Sequence, residues 1–304
     1  MALSKMGGLG AVLVEKFMEG VGSVPDDWRQ FVDYKDADVP SLKVSPMSGA
    51  GDPTTWNGTD SLSSAHSTSI SALTAKDYSY QQYAAQITIA RSDISDIPGV
   101  VQDAVAKLGF SVANTYAKLA FTTLMNGVPG AGPGDGSVTT ADGKKLFASD
   151  HTTAAGTSRS NYAATTLTGA GDVMAAITMA RNWENYQNQP YDLNSGGWAL
   201  CVPPALEATA AQAVGSQYTS DQLQINVAGS YGINVITSAH LQDETAWFLM
   251  SRGPIRPVVF WERLPVRLDI VEDQDTLATK INCDFAVVSD ANAQPDGGFG
   301  FNAA

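Results

Sequence analysis

Residues Tyr83–Gly127 read YAAQITIARSDISDIPGVVQDAVAKLGFSVANTYAKLAFTTLMNG. An alternating strand carrying Ile87 and Ile89 meets a polar turn, and a long amphipathic helix opens at Pro98. Val101, Val105, Leu108, Val112, Tyr116 and Leu119 recur at steps of three and four, the period of one helix face. Asp103, Lys107, Ser111, Asn114 and Lys118 fill the opposite face. Pro98 suits a first helical turn, and the Asn126-Gly127 pair suits the stop. A helix over 98–126 rises about 1.5 Å per residue and spans roughly 40 Å, which is long for an ordinary domain.

Upstream, from Asp33 to Asp77, Ser, Thr, Gly, Pro and Asp dominate, and core candidates are few beyond Leu42, Val44 and Trp56. A structureless stretch this long is uncommon inside a compact domain and is then functional or disordered. Residues 1–32 form an arm with a short helix, ending in the cluster Trp28, Phe31, Val32. Glu15 and Lys16 follow its short apolar run at once, without a small-residue cleavage site, which argues against a signal peptide.

Downstream, VPGAGPGDGSVTTADG (128–143) is a Gly/Pro-rich connection. Its spaced glycines, Gly130 and Gly132 among them, do not make a phosphate-binding loop. A helix precedes them, no helical pattern follows, and no GK[ST] is present. A second helix is expected over 169–187, with Val173, Ile177 and Ala180 inside. WALCV (198–202) reads as a buried strand, and Pro203-Pro204 open a helix that stops at Gly215. LQINVA, GINVIT and AWFLM read as short strands. Val266, Leu268 and Ile270 share one strand face, and Ile281, Cys283, Phe285 and Val287 share another. Helices and strands without a βαβ rhythm indicate an α+β fold.

These pieces in this order resemble the major head subunit family of Mu-like tailed phages, whose shells use the HK97-type fold. The segments that carry the likeness are Tyr83–Gly127, TADGKKLFASDHTT (Asp142 to Leu146-Phe147, then Asp150-His151), GWALCVPPALEATAAQAVGS and INVAGSYGINVITSAHLQDETAWFLMS. It covers about 28–288.

The resemblance implies an N-terminal arm (1–32), an extended loop (33–82), and a peripheral domain (83–167) holding the spine helix 98–126 and the Gly-rich loop. An axial domain (168–250) follows, and 251–304 return to the peripheral domain. It also implies that the chain is a major capsid protein. Copies would form hexamers and pentamers of an icosahedral head shell around double-stranded DNA, in a virion assembled in the bacterial host cytoplasm. The extended loop would reach over the adjacent subunit. The inter-subunit contact candidates are therefore Leu9, Val12, Leu13 and Phe17 in the arm and Leu42, Val44 and Trp56 in the loop. No scaffold-sized extension precedes the arm, so scaffold and maturation protease are expected to be separate proteins, beside a portal and decoration proteins. The structural rivals are a tail tube or decoration protein. Tube subunits are mainly β, and the long helix argues against them.

Composition agrees. The chain has 304 residues with 44% apolar and only 16% charged residues, enough for a large core under a weakly charged surface. A net charge of −13 makes the chain a poor nucleic-acid binder, so encapsidated DNA would meet only weak, non-specific contact. No run reaches the roughly 20 apolar residues of a membrane helix. The two cysteines, Cys201 and Cys283, lie in apolar strand-like runs and read as buried thiols, with their pairing left open.

Candidate chemistry is thin, and no catalytic residue, metal or cofactor is expected. The three histidines, His66, His151 and His240, lie far apart and in no ligand-spaced motif. Asp150-His151 suggests an oriented base and a hydrolase, but neighbours in an extended segment point opposite ways, and no G-x-S-x-G elbow is present. Asp93 and Asp96 read as N-terminal caps and dipole compensation. Glu272, Asp273 and Asp275 read as a solvated turn. Lys43 and Lys76 flank the extended loop, where some shells of this fold place a lysine for an isopeptide cross-link.

Overall fold

The computed structural model describes residues 2–39, 41–45, 74–96, 98–130, 137–153, 156–190, 193–215, 226–273 and 278–302. Two sheets share the core. The first has the order β1-β11-β12-β4, with β1 Val32–Asp36, β4 Gln81–Ala90, β11 Val258–Asp273 and β12 Ala278–Ala291. β1 runs parallel to β11, and β12 runs antiparallel to both β11 and β4. Register shifts interrupt β11 between Glu262 and Arg267, around Pro265. A proline cannot donate to the ladder, so it is tolerated there as part of a bulge.

The long helix occupies Pro98–Asn126, the bounds expected from its periodicity and end signals. Its buried face carries Val101, Val105, Leu108, Val112 and Tyr116, with Leu119 partly buried. It packs on β12, where Ile281, Cys283, Phe285 and Val287 point inward as the alternation predicts. Tyr116 sits in an aromatic layer, with ring centroids 5.0 Å from Phe285 and 5.5 Å from Phe260.

The second sheet has the order β7-β13-β10-β8-β9. Its strands are β7 Tyr162–Ala163, β8 Trp198–Val202, β9 Ile233–Thr237, β10 Trp247–Ser251 and β13 Gly298–Phe301. One face, with Ala199, Cys201, Phe248 and Met250, joins the core of the long helix. The other, with Leu200, Leu249 and Phe299, joins a second core with the helices Ala170–Arg181 and Glu207–Gly215. Burial on both faces explains why WALCV and WFLM are continuous apolar runs without alternation. A short two-stranded sheet pairs β5 His151–Thr152 with β6 Ser158–Arg159.

Several expectations need correction. The arm helix is long, Ala2–Gly22, because it lies along the spine helix and does not depend on its own propensity. Val32, assigned to the arm, and residues 33–36, assigned to the extended loop, together form β1 of the first sheet. The polar turn before the spine helix is a short helix, Arg91–Asp96, with Asp93 in its first turn. The helix expected over 169–187 stops at Arg181. Asn182 caps it, and Asn185 Oδ1 accepts the Gln187 and Gln189 N–H groups in a turn that holds Asn188 at φ 60°. Asn226 and Val227, from the expected strand LQINVA, are not in a strand, and Ala228 opens a 3-10 turn. Finally, β13 does not return to the first sheet. It pairs antiparallel with β10 in the second, so the chain crosses back once more.

Candidate functional site

The root of the extended loop is an antiparallel hairpin. β2 (Ser41–Val44) pairs with β3 (Lys76–Ser79), matching Leu42 to Tyr78 and Val44 to Lys76. Leu42 and Val44 are half-buried at this root. Trp56, the third contact candidate in the loop, lies outside the described residues, as does His66. On β3, Lys76 and Tyr78 turn inward and are buried, while Asp77 and Ser79 face out. The Lys76 ammonium donates to Asp290 Oδ1 at 2.9 Å, to the Ala291 carbonyl at 2.8 Å and to the Thr139 carbonyl at 2.5 Å. Tyr78 Oη donates to the same Ala291 carbonyl at 3.1 Å. Burial lowers the Lys76 pKa, against the pull of Asp290. Lys76 is thus built into its own subunit and is not a free cross-linking amine. Lys43 is exposed, with its ammonium 3.9 Å from Asp77.

Next to this root, the end of the Gly-rich connection folds around a buried histidine. His151 is fully buried, with Nδ1 2.8 Å from Asp142 Oδ2 and Nε2 3.3 Å from the Leu146 carbonyl. Burial pushes the Asp142 carboxyl up. Hydrogen bonds from His151, Thr140 and the Lys144 N–H outweigh it and hold the pKa at about 2. Asn161 Nδ2 donates to the Leu146 carbonyl at 2.8 Å, and its Oδ1 accepts the Ala148 N–H at 2.9 Å. Asp150 turns away to pair with Lys144. The expectation that Asp150 and His151 do not cooperate therefore holds, but the imidazole does have a carboxylate partner, Asp142, supplied by the turn at residues 140–144. Spacing along the chain does not reveal it. The arrangement braces a turn and leaves no ring nitrogen facing solvent.

A second buried pair lies nearby. Arg159 Nη1 is 3.1 Å from Asp296 Oδ1, and Trp183 Nε1 donates to the same oxygen at 2.8 Å. The Arg159 guanidinium stacks 4.6 Å from the Trp183 ring centroid. Burial raises the Asp296 pKa, opposed by Arg159. The remaining histidine, His240, is partly exposed, with Nε2 3.1 Å from Asn114 Oδ1. Among the described residues no group of three or more His, Cys, Asp or Glu could hold a metal ion. No helix among them is long and apolar enough to cross a membrane. Cys201 and Cys283 are both free and buried.

The arm candidates divide. Leu13 and Phe17 are 1% and 3% exposed, buried within their own chain in the spine-helix core. They are intra-subunit and not inter-subunit contacts, because the spine helix already supplies them with a partner. Val12 remains exposed at 37%, and Val14, Met18 and Phe110 are exposed large apolar side chains on the two packed helices. Leu9 lies in the arm helix, and its side chain is outside the described residues.

Residues 74–299 match the family model described as phage capsid protein. No curated protein sequence matches the chain. Among solved structures, a virus-like particle from Pyrococcus furiosus is similar at a TM-score of 0.57 and 10% identity, over 96% of this chain and 98% of that one. The mature capsid of bacteriophage PhiM1 is similar at 0.56 and 12% identity, over 92% and 87%. The procapsid of bacteriophage JBD30 is similar at 0.52 and 12%, over 98% and 74%. At such low identity these likenesses concern the fold, which is the HK97 type. The matches reach phage capsid proteins as a class and do not single out the Mu-like group.

Proposed function

The chain belongs to the phage capsid protein family and is a shell-forming capsid subunit, and on that premise we propose how its parts divide the work of assembly. The first sheet and the spine helix form the peripheral part, and the second sheet with its two helices forms the axial part that meets its copies around each capsomer axis. Residues 45–75 leave the body from the β2–β3 root and cross onto a neighbouring copy. The observation that carries this reading is that root. Two paired strands are fixed to the body by Lys76 and Tyr78, and the sequence between them is too poor in apolar residues to build a core of its own.

The crossing segment expected from sequence, Ser45–Ser79, is taken as shorter at its end, since Lys76 and Tyr78 of the return strand are buried in their own subunit. The arm contributes through its outer face, Val12, Val14 and Met18, and not through Leu13 and Phe17. Shell assembly takes place in the bacterial host cytoplasm, with DNA held only by weak non-specific contact. The subunit is a structural protein without catalysis. Its most suggestive base, His151, is buried with both ring nitrogens engaged, which supports this view.

Deletion of 46–73 tests the division. A soluble subunit that unfolds cooperatively but closes no shells is the expected result. Normal particles from the deleted chain would reject the crossing loop.

A further inference from the structure

Lys76 joins three segments that are distant in sequence. It stands on β3, its ammonium reaches Thr139 within the Gly-rich connection, and it reaches Asp290 and Ala291 at the end of β12. An ammonium has three N–H donors, and three acceptors are in place. Two positions along the strand, Tyr78 faces the same way, donates to the Ala291 carbonyl and packs with its ring centroid 6.4 Å from that of Trp261. The Lys76 ammonium lies 5.1 Å from the Tyr78 ring centroid. The partner strand β2 is only half-buried at Leu42 and Val44, and its Ser41 and Lys43 are exposed. β3 continues through Tyr80 into β4 of the first sheet, and two side chains on one face add to that covalent tie. Two side-chain anchors on one face add resistance to rotation of the hairpin about its own strands.

We propose that Lys76 is a positioning residue for assembly. Its three-acceptor clamp fixes the direction in which the extended loop leaves the body, and so the angle at which neighbouring copies meet. This rests on the reading that residues 45–75 cross onto a neighbour. A lysine that served only the fold would have different consequences. Its loss would reduce the amount of folded subunit, and the folded remainder would still build normal shells.

The experiment uses the full chain with Lys76→Met, Lys76→Gln and Lys76→Arg. Thermal unfolding of the unassembled subunit is measured beside the yield and diameter of particles in electron micrographs. Lys76→Met leaves Asp290 partly solvated and still bonded to the Ala291 N–H, so a folded subunit is expected. Its closed shells should fall about ten-fold, the scale on which one lost charged anchor shifts a two-state population. The shells that remain should scatter in diameter. Lys76→Arg, which keeps the charge and several donors, should restore most of the yield and a single diameter.

Shells of unchanged yield and diameter from Lys76→Met would overturn the proposal. So would a loss of shells that only tracks the loss of folded subunit, or a failure of both neutral variants to fold, since each assigns Lys76 to stability alone. The 46–73 deletion separates the two readings. If it closes normal shells, the crossing loop is wrong. If it abolishes shells while Lys76→Met is neutral, only the role of Lys76 is wrong.

Discussion

Gly109 of the spine helix lies against Phe17 of the arm helix so closely that a Cβ on Gly109 would sit 2.1 Å from the Phe17 carbonyl oxygen. The contact is reciprocal. A Cβ on Gly20 would sit 1.9 Å from the Ala106 carbonyl oxygen. Two helices thus meet backbone to backbone at a pair of glycines, and this approach lets the arm bury Leu13 and Phe17 in its own subunit.

Glycine is a poor helix former, so Gly109→Ala in an open helix would stabilise by up to about 1 kcal/mol. Here the added methyl meets backbone that cannot rotate aside. We expect destabilisation of about 1–3 kcal/mol, the usual cost of overpacking. Denaturant unfolding of the unassembled subunit decides by sign alone, since a gain in stability would mean that the arm does not lie on the spine helix.

Removing the arm should weaken the fold as well as the shell. Phe17→Ala empties a buried site and should cost about 3–5 kcal/mol. Val12→Ala, at an exposed position, should leave subunit melting within about 0.5 kcal/mol. Equal melting of the Phe17 variant and the parent chain would return Phe17 to the inter-subunit role expected from sequence.

The Asp142 carboxyl gives the fold an acid dependence. Its pKa is held at about 2 against an ordinary 3.8, so its contribution is fully present above 3.8 and is lost as pH falls through about 2. Asp142→Asn should lower stability at neutral pH and flatten the decline between those two values. Parallel stability curves for variant and parent over that range would contradict the assignment.

Thiol reactivity should report global opening. Burial pushes the Cys201 thiol far up and the Cys283 thiol up to about 11. A thiolate is the reactive form, so both should be inert to a thiol reagent at neutral pH in the folded subunit and react together on unfolding. Rapid labelling of either residue without loss of structure would show a local opening that this packing does not provide.

Breaking the Arg159–Asp296 pair should be costly. Arg159→Met leaves Asp296 buried with only Trp183 to hold it, and about 3–5 kcal/mol of destabilisation is expected. The double variant Arg159→Met, Asp296→Leu should recover much of that loss, which equilibrium unfolding of the three chains would measure.

The sequence by itself determined the spine helix to its end residues. Pro98, the three-and-four spacing and Asn126-Gly127 are local signals, each read within a few turns of chain. The same holds for β12, whose alternation needs only one buried face, and Pro203-Pro204 mark a 3-10 turn, Pro204–Leu206, that leads into the helix at Glu207. The family likeness was legible for the same reason, because it rests on the order of such pieces. Tertiary structure alone decided what met at long range. Nothing near Lys76 announces Asp290, nothing near Asp142 but nine residues of loop announces His151, and no periodicity sends β13 to β10 rather than to the first sheet. The arm departs from its expected role on the same ground. An apolar helix without a partner in its own segment reads as a surface waiting for a neighbour. The partner was Gly109, a residue that signals nothing in sequence because its role is the absence of a side chain where two backbones touch.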